Sequence, residues 1–473
     1  MIDFRPYQQH DINAILALLQ RGRSPLYQLP TGGGKTVVFS QVTRVVAELG
    51  WRVCIFVHRK ELLVQASKAL RRLGIEHGIV APDHPMVAAQ VYVASIDTVG
   101  TRLGALRDWL GTINLAIMDE AHHVVAGKWQ RAISAMTKAL LLGPSATPWR
   151  TDGRPLGEAF TDALVGPSIR ELTAAGYLTP SVVYGPPAAI NLSGVKRRGG
   201  DYVQGELARA VDTDELAKLA VRYYAQYAGG VPCVVFAAGV EHAHHLAEAF
   251  RAGGWAAAAV DGSMSSRDRD AAIAGLADDR LQILTSCDLI SEGTDVPVVG
   301  ACILLRPTQS TGLYLQQVGR ILRPYDGKNE AVIIDLVSNV KAHGMPDEPR
   351  PWSLSGGLKG AERAVTATRR CRSCYRVHAW AETCPGCGRG YPARAAAAAD
   401  RAEQLNLRDM PGIAGYSAAE LASMKHFEMV GLAQSEDDLR VIARIKGYKP
   451  GWVAHVAAEK GWRSAAFGGG RRW

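Results

Sequence analysis

At 473 residues the chain is too long for one ordinary hydrophobic core, so about two to four domains are expected. A hydrophobic fraction of 47% with 21% charged residues excludes a disordered chain, and the lack of any uninterrupted apolar run of about eighteen residues excludes an expected membrane span. The net charge of +9 is uneven, because residues 341–473 hold 21 Lys+Arg against 13 Asp+Glu; an anionic polymer is the expected partner of that part, and a merely solubilising basic tail is the competing reading.

In chain order, the N-terminal MIDFRPYQQHD carries charges where an export signal needs an apolar run, so a soluble cytoplasmic protein is expected. LYQL (26–29) suits a buried strand and leads into LPTGGGKT (29–36), with an apolar helical stretch beyond. Glycines there let backbone N–H groups close around phosphate oxygens with no Cβ in the way. The run Thr31, Gly32, Gly33, Gly34, Lys35 and Thr36 would cradle a nucleotide, Lys35 neutralising β/γ charge and Thr36 ligating Mg²⁺. The pattern G-x-x-x-x-G-K-[ST] wants glycine where this chain has Leu29, so a glycine turn without a ligand competes at this point.

VCIFV (53–57), VYVAS (91–95), LAIMD (115–119) and ALLLG (139–143) repeat the strand pattern with helix-sized gaps. LAIMDEAHH sets Asp119 and Glu120 side by side at a strand's tip, which is costly unless a cation neutralises them. Asp119 would hold the Mg²⁺ shell and Glu120 would orient and activate an attacking water. A Gly/Pro-rich stretch from about Gly166 to Gly200 precedes a second series: CVVFA (233–237), AAAAV (256–260), LQILTS (281–286), ACILL (301–305) and AVIID (331–335). Runs this apolar suit strands buried on both faces, so two parallel α/β sheets are expected. HAHH (242–245) sets His242 and His245 one helical turn apart with no carboxylate or cysteine expected to complete a metal set; a loop followed by a solvated helix face is expected. Cys54, Cys233, Cys287 and Cys302 sit singly in apolar runs and read as core residues.

These ordered blocks resemble a superfamily 2 helicase or translocase over about residues 4–340. The resemblance implies two RecA-like domains with ATP in the cleft between them. On it, RPYQ (5–8) would recognise adenine through Gln8 with Arg5 nearby, and HRKELLVQ (58–65) would touch a nucleic-acid strand through His58, Arg59 and Gln65. VASIDTV (93–99) would add Ser95 and Thr98, although Asp97 stands where the family pattern has Gln and an acid facing phosphates is unfavourable. His122 with SATP (145–148), through Ser145 and Thr147, would couple hydrolysis to motion. FAAGVEHA (236–243) and DGSM (261–264) match nucleic-acid-facing loops, and SEGTDVP (291–297) would direct Gly293 and Asp295 to the ribose and phosphates. QQVGRILRP (316–324) supplies Gln316, Arg320 and Arg323; its arginines would reach the γ-phosphate only when the cleft shuts.

Past AVIID the strand pattern ends, and GMPDEPRPWSLSGGLKG (344–360) reads as a linker. CRSCYRVHAWAETCPGCG (371–388) then pairs Cys371 with Cys374 and Cys384 with Cys387 as two C-x2-C units, a spacing that favours structural Zn²⁺, with an iron–sulfur cluster as the alternative. Arg372, Arg376 and Trp380 could contact phosphate and stack a base, or be exposed groups on a stapled linker. ARAAAAADRAEQ reads as a surface or tethering helix, and residues 416–473 show helical periodicity before a GGGRRW tail.

The helicase blocks with this four-cysteine knuckle resemble the RadD-type group of bacterial DNA-repair helicases and their phage-borne relatives, and GYKPGWVAHVAAEKGW (447–462) resembles that group's end. The resemblance implies DNA-stimulated ATP hydrolysis on single-stranded or branched DNA in repair, recombination or replication, with a repair or replication protein as a further partner, in a bacterial cytoplasm or nucleoid. An RNA helicase, the motor subunit of a restriction-type complex, and an ATP-switched binding or annealing module are the alternatives. The expected fold is α/β: a RecA-like ATP-binding domain (1–165), a connecting segment (166–215), a second RecA-like domain (216–345), a linker (346–370), a zinc module (371–390), and an Ala-rich helix with a basic helical tail (391–473).

Overall fold

The computed structural model describes residues 4–125, 127–149, 153–185, 194–287, 296–355, 366–391, 418–424, 426–448 and 451–460, with Leu192, Ile413 and Trp462. They form two compact units, Met1–Tyr184 with Asn191–Thr368, and Gly185–Ile190 with Arg369–Trp473. The Ala-rich run, the GGGRRW tail, Gly293 and Asp295 lie outside the described residues.

In the N-terminal lobe of the first unit, β1 (Pro25–Gln28), β2 (Val53–Val57), β3 (Gly78–Val80), β4 (Val91–Ser95), β5 (Leu115–Met118), β6 (Leu140–Ser145) and β7 (Asp162–Val165) form one sheet in the order β3-β4-β2-β5-β6-β1-β7. Every pairing is parallel. Because successive side chains of a strand point to opposite faces, an unbroken apolar run feeds two cores at once. Val53, Ile55 and Val57 of β2 join one cluster under the helices Pro6–Gln20, Lys35–Glu48 and Lys60–Arg72. Cys54 and Phe56 join another under Leu103–Leu110 and Gly127–Ala135. The edge strands β3 and β7 were not expected: they are short, and β7 has no fully buried position, so neither carries a strong apolar signal.

The second lobe opens with β8 (Ser181–Tyr184) and a small antiparallel ribbon, β9 (Arg197–Arg198) with β10 (Asp201–Tyr202). β11 (Cys233–Phe236), β12 (Ala257–Val260), β13 (Ile283–Ser286), β14 (Ala301–Leu304) and β15 (Ala331–Asp335) follow. Their parallel order is β12-β13-β11-β14-β15-β8. The stretch expected only to connect thus supplies β8 to the second sheet. Alternate residues of β11, Cys233 and Val235, pack with Tyr224, Leu246 and Phe250 of the overlying helices.

The segment expected as a free linker is, over residues 346–355, a strap that returns to the N-terminal lobe. The Leu354 carbonyl accepts from Leu156 N (2.9 Å) and Gly157 N (3.1 Å), and Trp352 lies 4.4 Å from Trp149 between ring centroids. Arg350 ties the strap by donating to the carbonyls of His343, Met345, Pro346 and Glu348.

In the second unit, helices Ala418–Ser423, His426–Leu432, Glu436–Lys446 and Gly451–Glu459 enclose their own core of Leu421, Met429, Leu439, Ile442, Ile445 and Val456. A Ser435–Asp438 capping box starts the third of these helices and Gly447, at φ 67°, ends it. The expected helical tail is therefore a small packed bundle. Among the described residues no helix is long and apolar enough to cross a membrane.

Candidate active site

Parallel strands bring their carboxyl ends to one edge, and the motif blocks collect there because each follows a strand. β1 is buried at all four positions and ends at the Gly-rich loop, from which helix Lys35–Glu48 starts. Gly32 and Gly34 are left-handed (φ 86° and 92°), which costs an L side chain about 1–2 kcal/mol before any clash. A Cβ on Gly34 would lie 2.5 Å from Gln8 Nε2, and one on Gly33 would lie 2.7 Å from Leu29 Cγ. Leu29, the departure from the glycine pattern, is fully buried, so that position is a core contact in this chain.

Gln8 is buried, receives the Arg5 N–H (3.1 Å) and donates to the Gly33 carbonyl (3.3 Å). Tyr7 OH donates to the same carbonyl at 2.5 Å, and Arg5 lies 4.6 Å over the Tyr177 ring. Tyr7 and Tyr177 escaped sequence reasoning, since no motif marks a tyrosine that merely braces a loop carbonyl.

Lys35 Nζ donates to the Leu29 carbonyl at 3.2 Å. Burial holds its pKa below the ordinary lysine value; Glu120 and Asp119 pull it up, and Arg320 and Arg323 push it down. Charged groups of both lobes thus converge on one ammonium. Asp119 is pushed up by burial and then by Glu120, with Lys35 opposing. Two adjacent carboxylates, one of them buried, repel one another, and a hard divalent cation would relieve that repulsion, so the residues fit Mg²⁺.

Glu120 is a non-glycine residue in the left-handed region (φ 55°), its N–H donating to Asp119 Oδ1 at 3.1 Å. The short turn Ala121–His123 follows. His122 Nδ1 stands 3.4 Å from Glu120 Oε2 and 3.4 Å from Ser145 Oγ, which accepts the Thr147 N–H at 3.2 Å. Ser145 and Thr147 are buried, and Gln28 Nε2 holds the Ala146 carbonyl at 3.0 Å. The block expected to couple hydrolysis to motion is thus fastened to β1 and to the acidic turn.

The second lobe closes on this loop through glycines. Gln316 is buried in helix Thr311–Gly319. A Cβ on Gly312, at that helix's start, would lie 3.0 Å from Thr147 Oγ1; one on Gly319, at its end, would lie 2.5 Å from Thr31 Cβ. A Cβ on Gly32 would lie 2.9 Å from Leu178 Cδ2 and 3.4 Å from Arg323 Cγ. Lys328, also missed, donates to the carbonyls of Arg323 (2.7 Å), Val299 (2.7 Å) and Pro297 (3.4 Å), and burial, with Arg323 beside it, pushes its pKa down to about 8. It fastens the end of the 291–297 block to the arginine segment.

Of the residues expected to face nucleic acid, His58, Arg59 and Gln65 are half-buried at the end of β2 and along the next helix. On that helix Glu61 Oε1 meets Arg269 Nη2 at 2.7 Å, an ion pair between the lobes. Ser95 caps helix Ile96–Thr101 by accepting the Thr98 N–H. Thr98 is buried at 4% exposure. Asp97 is neutralised by Lys128 at 2.5 Å. In HAHH, His242 is buried and accepts the Ala238 N–H, while His245 is held between Asp212 (2.6 Å) and Asp214 (3.2 Å).

In the second unit the four cysteines converge: the sulfurs of Cys371, Cys374, Cys384 and Cys387 all lie within 4.8 Å of one another. Each pair sits on a tight turn, with Tyr375 N bonding the Cys371 carbonyl and Gly388 N the Cys384 carbonyl. Although burial opposes it, backbone N–H groups pull the Cys371 and Cys384 thiols down, whereas Cys374 and Cys387 go up. Four sulfurs this close cannot all ionise without a cation, so the set fits a thiophilic metal. Trp380 is 58% exposed, and its ring lies 3.6 Å over the Arg369 guanidinium, which Tyr391 covers on another side at 4.2 Å. Arg372 is exposed, whereas Arg376 is half-buried with its Cδ close to Gly386.

Two family models match the chain: "Type III restriction enzyme, res subunit" over residues 1–150 and "Helicase conserved C-terminal domain" over residues 215–325. A "51.5 kDa protein" of Lactococcus phage (isolate 7-9) is 32% identical over 352 residues, covering 74% of each chain. The Saccharomyces cerevisiae protein named "Putative ATP-dependent helicase IRC3" is 29% identical over 356 residues, 70% of this chain but only 51% of the yeast protein, so this chain spans about half its length. Among solved structures, "The fragment structure of a putative HsdR subunit of a type I restriction enzyme" from Vibrio vulnificus YJ016 aligns with a TM-score of 0.58 at 22% identity, over 75% of this chain and 67% of that one.

Proposed function

Because this chain belongs to the superfamily 2 helicases, a group of ATP-driven nucleic-acid motors, we propose that it works on single-stranded or branched DNA in repair, recombination or replication. The observation that carries the motor reading is the seating of helix Thr311–Gly319 on the phosphate loop, which gathers Arg320 and Arg323 of one lobe around Lys35 of the other. Arg5 and Gln8 select the base, the loop Thr31–Thr36 binds phosphates, and Thr36 and Asp119 hold Mg²⁺. That ion neutralises phosphate charge when bound. Glu120 orients the attacking water, and Gln316, Arg320 and Arg323 stabilise charge that develops during transfer. His122, Ser145 and Thr147 pass the event to the strand-facing blocks. Gly293 and Asp295 remain proposed ribose and phosphate contacts on sequence grounds.

The surplus positive charge of residues 341–473 supports an anionic polymer as partner, and the choice of DNA, and of the RadD-type group, rests on the resemblance carried by His122 and the four-cysteine module. Trp380, backed by Arg369, offers an outer ring face for an unpaired base, and the exposed Arg372 is available to phosphate. Steady-state ATP hydrolysis with no polymer, single-stranded DNA, forked DNA, duplex DNA or RNA tests the reading. Single-stranded or forked DNA is expected to stimulate the rate most, and Lys35→Ala to abolish that stimulation. A rate indifferent to every polymer would sink the proposal, and preference for RNA would transfer the motor to RNA. The restriction-subunit match over residues 1–150 favours a second reading, a motor that works within a larger complex; co-purification of a nuclease chain would support it.

The metal reading has its own test. The purified chain is expected to hold one zinc ion, released when the four thiols are titrated with a mercurial, and Cys384→Ser is expected to lose it. Iron in its place, or no metal at all, would overturn the assignment.

A further inference from the structure

His123, the residue just past the acidic turn, has no part in the scheme above. Its ring lies 4.6 Å from that of His58 and 4.2 Å from that of His122, measured between centroids. Three imidazoles therefore run in series from the end of β2 to the acidic turn. At the far end, His122 Nδ1 stands 3.4 Å from Glu120 Oε2 and 3.4 Å from Ser145 Oγ. Glu120 is itself held at a left-handed backbone angle, so its carboxylate direction depends on what surrounds the turn. All three rings are half-buried and stand at contact distance from one another, so a shift of one has to be taken up by the next.

We propose that His123 is a positioning residue, the middle ring of a stack through which a nucleic acid held at the His58–Arg59 block sets the orientation of His122 and thereby of Glu120. The chain of contact is short and specific: strand-facing block, His58, His123, His122, Glu120. It explains why a second histidine follows the acidic motif, on a turn whose backbone is already fixed by Asp119 and Ala121. This inference rests on the proposed nucleic-acid-stimulated ATPase, and its test separates the two.

ATP hydrolysis is measured with and without saturating single-stranded DNA in the full chain, in His123→Ala and in His123→Phe, which keeps a ring in the stack. Binding of a fluorescent DNA oligomer without nucleotide is measured in parallel. The unstimulated rate and oligomer affinity are expected to stay within about twofold, while the stimulation factor falls about tenfold in His123→Ala, a coupling of ordinary size. His123→Phe is expected to recover most of it. Full stimulation in His123→Ala, or a His123→Phe variant as uncoupled as the alanine form, would overturn the inference alone. A natural chain that DNA does not stimulate at all would remove the proposed function and this inference together.

Discussion

Glu120→Gln is expected to lower the stimulated rate of ATP hydrolysis by about 10²- to 10⁴-fold, the range lost with a general base, while nucleotide still binds. The substitution keeps the side chain's size and one carbonyl oxygen, so the turn and its contact with His122 are disturbed little. What disappears is the negative charge that takes up or orients the water's proton. Burial, the larger cause of the raised Asp119 pKa, stays in place, while the second cause, the Glu120 charge, is removed, so the Asp119 pKa is expected to move down and its carboxylate to remain available to a cation. Steady-state hydrolysis read beside equilibrium binding of a fluorescent ATP analogue separates the two effects. If hydrolysis survives within a few fold, Glu120 is not the water-orienting residue. If hydrolysis falls but all cellular function persists, the chain is an ATP-switched binding module and not a motor.

Gly319→Ala should produce a loss of comparable kind for a different reason. Glycine at the end of a helix is locally unfavourable, and alanine there would on propensity alone add about 0.5–1 kcal/mol of stability. The tertiary contact reverses that sign for activity. The new Cβ would fall 2.5 Å from Thr31 Cβ, with Thr31 Cγ2 at 3.1 Å and Oγ1 at 3.2 Å. Thr31 cannot swing aside, because the clash involves its own Cβ and the loop is pinned at the Gly33 carbonyl by Tyr7 and Gln8. The lobes must separate, and Arg320 and Arg323 move away from Lys35 with them. A misplacement near 1 Å costs about 10²-fold in rate, so kcat is expected to fall by that order while thermal stability holds or rises. Thr31→Gly in the same chain should restore part of the rate, a coupling that neighbouring sites show and distant ones do not. Unchanged kcat in Gly319→Ala would mean that the cleft closes without this contact.

The acidic turn and the phosphate loop were legible from residue order because their chemistry is local: glycines that admit phosphate and paired carboxylates that call for a cation need only their neighbours. The same holds for Cys371, Cys374, Cys384 and Cys387, whose spacing alone suggested a single cluster and whose sulfurs do converge. The roles of Tyr7, Tyr177, Gly312 and Lys328 were not legible. Each depends on what the fold places opposite it: Gly33 for Tyr7, Arg5 for Tyr177, Thr147 for Gly312, and the Pro297 and Val299 carbonyls for Lys328. The burial of Thr98 was not legible either: a family position gives the residue type at a place, but the fold decides which way it faces.

The sequence by itself determined the two parallel sheets, since apolar runs of four to six residues separated by helix lengths can bury both faces in few other ways. It also pointed to the residues proposed to handle phosphate and water, and to the four cysteines whose sulfurs converge. Only the tertiary structure decided that residues 166–215 lend β8 to the second sheet, that the Pro-rich linker straps back over the N-terminal lobe through Trp352 and Leu354, and that the C-terminal helices enclose a core of their own. Those outcomes are contacts between distant segments, fixed by shape and by which apolar surface is left to cover. Local periodicity reports that a face is apolar; it carries no information about what will lie against it.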